Sequence, residues 1–209
     1  HYTNLGYQSY FVSSIATDML QAMNFDTIRL GELKANFNEV EPIMRNTDFL
    51  SFDISVIQYA YAGANVYSSP NGLTGEDACR IMRYAGVSDK ITAVGLFEYN
   101  QRLDINNQTA YLLAEMFWYF IDGYKIRKQE LNPNMKDCTK YKVAFADGKN
   151  EITFYKSQSS GRWWMGVPFK KEGIKEVQHL YIACSYRDYE VANQGDVPER
   201  WLKNCNKFL

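Results

Sequence analysis

Leu50-Ser51-Phe52-Asp53-Ile54-Ser55, then Asn71-Gly72-Leu73-Thr74-Gly75-Glu76, then Val94-Gly95-Leu96-Phe97-Glu98-Tyr99-Asn100 are the stretches on which the fold turns. The first and third are apolar runs of strand length, and each ends in a carboxylate, Asp53 or Glu98. Between them Thr74 stands as a helix N-cap with Asp77 at the third helical position. Ala78, Ile81 and Met82 carry that helix to a stop near Gly86. Strand, helix, strand in this order predicts a parallel βαβ unit. In an open parallel sheet, ligands bind at the carboxyl ends of the strands, so Asp53 and Glu98 are expected on one rim. Strand side chains alternate, which points Asp53 and Ser55 one way and turns Phe52 and Ile54 into packing. The plain alternative is that each carboxylate caps a neighbouring loop by accepting backbone N–H bonds.

The alternation of strands and helices extends outward from this unit. Residues 5–11 read as a strand, and Ser13 or Ser14 caps a helix with Ile15, Met19, Ala22 and Met23 on one face. Residues 27–30 read as a short strand, and 38–45 as a helix that Pro42 weakens. The loop over 55–73 is rich in Tyr, Ser, Gly, Asn and Pro, and loops of that length are often functional. Residues 109–124 predict a strongly apolar helix in which 117–121 is core. Beyond Lys125 the texture changes. A polar linker containing Asn132-Pro133-Asn134 leads to short strands at 140–145, 152–155, 162–167 and 180–184, with a hairpin turn at 146–150. Two terminal helices follow near 187–193 and 198–207. This predicts an α/β domain over 1–124 and an α+β extension over 125–209 with its own antiparallel sheet.

Composition bounds the function. The 209 residues carry 23 Lys+Arg against 24 Asp+Glu, a net charge of −1, which argues against binding nucleic acid by phosphate neutralisation. Hydrophobics at 46% and aromatics at 15% are enough for a core. The apolar run 110–121 carries Glu115 and is too short to span a bilayer, so no membrane partner is expected. No secretory leader is visible, the expected compartment is the cytoplasm, and the start at His1 without Met reads as a fragment or a processed chain. Cys79, Cys138, Cys184 and Cys205 lie far apart with no CxxC and read as free thiols. His1 and His179 are the two histidines, so a His cluster is ruled out within the chain and metal ligands would be carboxylates. His179 reads as a surface residue, Trp163-Trp164 as one core and one half-buried strand residue, and Lys170-Lys171 with Lys175 as a solvated basic patch.

In order and spacing, the three opening stretches, with Thr109-Ala110-Tyr111-Leu112-Leu113-Ala114, resemble the arginase/ureohydrolase superfamily over roughly residues 3–124. Its motifs are a Ser-Phe-Asp-x-Asp strand end, a Gly-Gly-Leu-Thr-x-Glu helix start and a Glu-x-Asn-Pro loop. Asn4-Leu5-Gly6-Tyr7-Gln8 and Ser69-Pro70-Asn71-Gly72-Leu73 are most similar to formimidoylglutamase, and the C-terminal part looks like an extension of bacterial, Bacteroidetes-type members. The resemblance implies a three-layer αβα fold and a two-manganese site whose bridging hydroxide attacks an amidinium or guanidinium carbon. It implies Asp53 as a metal ligand, Glu98 as the carboxylate facing the substrate, a small amidine or guanidine as that substrate, and self-association. Three departures accompany it. The family's His-bearing ligand motifs are absent, Ser55 stands where the second Asp of Asp-x-Asp is expected, and Gln101 replaces the Pro after Asn100. These 209 residues alone are therefore expected to be inactive, and a non-catalytic scaffold of the same fold is the competing reading.

Overall fold

Strand β1 (Thr3–Tyr7) runs through helix α1 (Ser14–Ala22) to β2 (Asp26–Arg29), which pairs with β1 in parallel. The computed structural model describes residues 1–131, 134–144, 151–169 and 178–208. The Ser13 hydroxyl caps α1 by accepting the Ile15 N–H at 3.3 Å. The strand expected over 5–11 is shorter and earlier, because left-handed Gly6 (φ 84°) interrupts the register and the chain turns after Tyr7. Helices α2 (Leu30–Ala35) and α3 (Val40–Arg45) follow. Pro42 is tolerated in α3 because it lies in the first turn, where backbone N–H groups have no helical acceptor anyway.

The second parallel unit is β3 (Phe49–Asp53), α4 (Gly75–Val87) and β4 (Ala93–Phe97), followed by α5 (Gln108–Lys125). β3 and β4 pair from Phe49↔Ala93 to Asp53↔Phe97. Among the described residues the parallel strands form two ladders of two, β1-β2 and β3-β4. α4 starts on the capping box read from sequence: Thr74 Oγ1 accepts the Asp77 N–H at 3.1 Å, and Asp77 Oδ2 accepts the Thr74 N–H at 3.0 Å. It ends at Val87, one residue past the stop expected near Gly86. A Cβ at Gly86 would collide with the Phe120 carbonyl, and one at Gly123 would stand 2.5 Å from the Arg83 carbonyl, so the two glycines let α4 and α5 meet backbone to backbone. The core of this unit gathers Leu33, Val40, Met44, Phe52, Ile54, Ile57, Leu73, Met82 and Met116. Burying each such side chain fully contributes about 1.5–3 kcal/mol.

Of residues 117–121 only Phe120, half-buried, packs against the core. Phe117, Trp118, Tyr119 and Ile121 are exposed, and α5 packs instead through Thr109, Leu112, Met116 and Gly123.

The chain divides into two compact units, His1–Gln129 and Glu130–Leu209. The second holds an antiparallel sheet in the order β5 (Cys138–Ala144), β6 (Glu151–Ser157), β7 (Trp163–Phe169), β8 (Gln178–Cys184). Helices α6 (Tyr186–Asn193) and α7 (Glu199–Phe208) follow. Trp163 and Trp164 are both buried; Trp163 lies parallel to Tyr141 and Tyr189 with ring centroids 5.2 and 5.1 Å away. The thiols are free, and His179 is exposed. The expected turn at 146–150, the patch at Lys170, Lys171 and Lys175, and Asn132-Pro133 lie outside the described residues. Among the described residues no helix is long and apolar enough to cross a membrane.

Candidate functional site

The β3–β4 register ends at Asp53↔Phe97, and Glu98 is the next residue. The two carboxylates thus stand at the carboxyl ends of adjacent parallel strands. Alternation holds up to that point: Phe52 and Ile54 are buried and Asp53 is exposed. There the strand becomes a 3-10 turn, Ile54–Val56, and Asp53 Oδ1 caps it by accepting the Ser55 N–H at 2.8 Å. Asp53 therefore performs the loop-capping role that competed with the ligand reading. Ser55 belongs to the turn and not to the strand, so strand alternation does not fix its side chain beside Asp53.

Glu98 has a left-handed backbone, φ 69°, which costs a residue with a Cβ on the order of 1 kcal/mol. The long loop holds it there. Buried Asn65 donates its side-chain amide to the Glu98 carbonyl at 2.7 Å, and its Oδ1 accepts the Tyr67 N–H at 2.6 Å. The Asn100 N–H reaches the Ala64 carbonyl at 2.9 Å. The loop is itself fastened to the strand end. The Leu73 N–H donates to the Val56 carbonyl at 2.8 Å, and a Cβ at Gly72 would stand 2.5 Å from that same carbonyl, which is why the motif has glycine there. The Glu98 carboxylate is exposed and makes no hydrogen bond or ion pair with any described residue.

Asp104 and Thr109 complete the frame; Thr109 is legible in sequence as a helix start, whereas Asp104 is not singled out. The Asp104 carboxylate accepts the N–H groups of Thr109 and Ala110, both at 2.9 Å, and the Tyr99 hydroxyl at 3.0 Å. Desolvation pushes its pKa up, but these hydrogen bonds outweigh it and hold the carboxyl below its ordinary value. Buried Thr109 accepts the Ala64 N–H at 3.1 Å. The available signal was an Asp shortly before a helix start, a capping pattern.

The donor set does not fit a two-manganese centre. Among the described residues no group of three or more His, Cys, Asp or Glu could hold a metal ion. One Asp53 oxygen is engaged by the turn, and Ser55 offers a neutral hydroxyl. His1 lies against Asp26, not on this rim. Manganese prefers an octahedral shell of hard oxygen and imidazole ligands.

Residues 1–122 match the model of the arginase family. No curated protein matches the chain. Among solved structures it is similar to formiminoglutamase of Trypanosoma cruzi in an oxidized form, at 17% identity and TM-score 0.54, over 57% of this chain and 43% of that one. It is similar to the same protein with Mn2+2, at 17% identity and TM-score 0.54, over 57% and 42%. Formimidoylglutamase from Bacillus subtilis matches at 17% identity and TM-score 0.53, over 59% and 42%. The likeness shows an arginase-type fold over part of the chain, which spans less than half the length of these relatives.

Proposed function

We propose, from the premise that this chain belongs to the arginase family over residues 1–122, that its first unit is part of a three-layer αβα ureohydrolase domain acting on a linear amidine or guanidine. N-formimidoyl-glutamate is the favoured substrate, cleaved by water to glutamate and formamide. Glu98 carries the reading: an exposed carboxylate without a partner among the described residues, at the strand end beside Asp53. A planar amidinium presents parallel N–H donors, and a carboxylate accepts them as charge-assisted hydrogen bonds. The clamp of Asn65 on the Glu98 carbonyl fixes the backbone from which that carboxylate projects. Glu98 would bind and orient the cation. Activation of the attacking water is assigned to no group of this chain.

A second reading is favoured by one observation, the engagement of Asp53 by its own turn with Ser55 in place of a second carboxylate. On that reading the fold is kept as a non-catalytic scaffold. The two separate in an assay of formamide release from N-formimidoyl-glutamate by a full-length protein carrying this chain, with Mn²⁺ supplied. Hydrolysis is expected, and Glu98→Gln should lower kcat/KM roughly ten- to a hundred-fold, the value of a charged hydrogen bond. Consumption of neither formimidoyl-glutamate nor arginine would leave the scaffold, whereas hydrolysis at an unchanged rate in the variant would remove Glu98 from the substrate-binding role.

A further inference from the structure

The α4–α5 pair closes at one end and opens at the other. At Gly86 and Gly123 backbone meets backbone, whereas a Cβ at Gly75 would meet side chains, Leu112 and Tyr61, both at 3.2 Å. The start of α4, α5 from Gln108 to Tyr119 and Tyr61 of the long loop line a groove of about 800 Å³. Tyr61, Tyr111, Trp118 and Tyr119 give it aromatic walls, and Glu76 and Glu115 contribute carboxylates. Tyr111, Glu115 and Trp118 follow at i, i+4 and i+7 on one face of α5. The Trp118 and Tyr119 rings meet edge to face at 83°, centroids 5.3 Å apart, so two walls stand nearly at right angles. Trp118 is 61% exposed and Tyr111 68%.

The ionisable side chains that line the groove are of one sign. Among the described residues no Lys, Arg or His lines it, and neither Glu76 nor Glu115 makes a hydrogen bond or ion pair. The floor registers this. Burial first, and then the Glu115 charge, push the Cys79 thiol up to about 11.

We propose that this groove binds an alkylated ammonium ion, seated against the ring faces with Glu76 and Glu115 as counter-charges. Such an ion spreads its charge over methyl groups and is weakly hydrated. It therefore gains from aromatic faces, which attract cations through the ring quadrupole. A strongly hydrated metal or primary ammonium ion gains less from rings, and a neutral group of the same shape gains apolar area without the electrostatic attraction. The site lies on α4, α5 and Tyr61 and uses neither Asp53 nor Glu98, so it stands apart from the proposed hydrolysis.

The test is a titration of the 209-residue chain with choline at low ionic strength, followed by NMR of the trimethylammonium protons. Saturable binding, roughly millimolar, is expected, with none in that range for 3,3-dimethylbutan-1-ol, the neutral isostere. Trp118→Ala and Glu115→Gln, both at exposed positions, should each weaken binding about two- to five-fold. Glu98→Gln should bind choline like the unaltered chain, which keeps this result distinct from the amidine proposal. Absence of saturation, equal binding of the neutral isostere, or unchanged affinity in either groove variant would overturn the assignment. If a variant fails to fold, the isostere comparison on the unaltered chain decides.

Discussion

A carboxylate at position 55 would sit two residues from Asp53, in a turn whose backbone already donates to Asp53 Oδ1 at 2.8 Å. Ser55→Asp therefore adds like charge at the rim, which is repulsive unless a cation comes between the two carboxylates. The unaltered chain is expected to show no tight, stoichiometric Mn²⁺ site by isothermal titration. In a full-length protein carrying this chain and the family's remaining ligands, the variant should melt roughly 2–4 °C lower without metal, the equivalent of about 1 kcal/mol, and recover when Mn²⁺ is added. Equal destabilisation in both conditions would mean that position 55 faces no metal. The placement of Asp53 and Glu98 was legible in sequence because strand period and the carboxyl-edge rule are local and strong. The engagement of Asp53 by its own turn was open in the sequence as an alternative. The clamp from Asn65 was not legible: it joins positions 33 residues apart, and its neighbours carry no period.

At the scale of elements, the backbone contact of α4 with α5 decides the sign of a substitution. Gly→Ala inside a helix ordinarily stabilises by up to about 1 kcal/mol. At Gly86 the new methyl would meet the Phe120 carbonyl and the Tyr124 amide. Gly86→Ala is expected to destabilise by about 1–3 kcal/mol through overpacking, read as a lower urea midpoint by circular dichroism. A gain in stability would mean that the helices do not approach so closely. Gly86 reads as a helix stop, and α4 does end beside it at Val87; its second role, letting α5 approach, was not legible because close packing needs a partner helix that local pattern does not supply. The misreading of 117–121 has a similar root. Aromatic and aliphatic composition marks what can be buried, while the direction of each side chain around α5 is set by where Leu112 and Met116 pack.

For the whole molecule, each compact unit carries a carboxylate held below its ordinary pKa. Asp104 is one. In the second unit Glu130 is another: burial pushes it up, and the hydroxyls of Ser157, Ser160 and Ser159 with the Arg162 charge outweigh that; the Lys142 hydrogen bond holds Glu151 down as well. A depressed folded-state pKa contributes stability that is present above the unfolded value, about 4, and is lost as pH falls through the folded one. The urea midpoint should therefore drop on acidification below about pH 4. Asp104→Asn should be less stable than the parent at pH 7, by about 1 kcal/mol for a weakened cap, with the difference closing in acid. A difference that persists unchanged at low pH would detach Asp104 from this role. The tryptophans divide the molecule optically as well. Trp118 alone belongs to the first unit and is largely in water already, whereas Trp163 and Trp164 are buried in the second with half-buried Trp201. Blue-shifted emission from the native protein is therefore expected to originate in the C-terminal unit, from Trp163 and Trp164. An indole-detected melt watches that unit lose its structure and is almost blind to the unit that bears Asp53 and Glu98, whose helices answer to ellipticity instead.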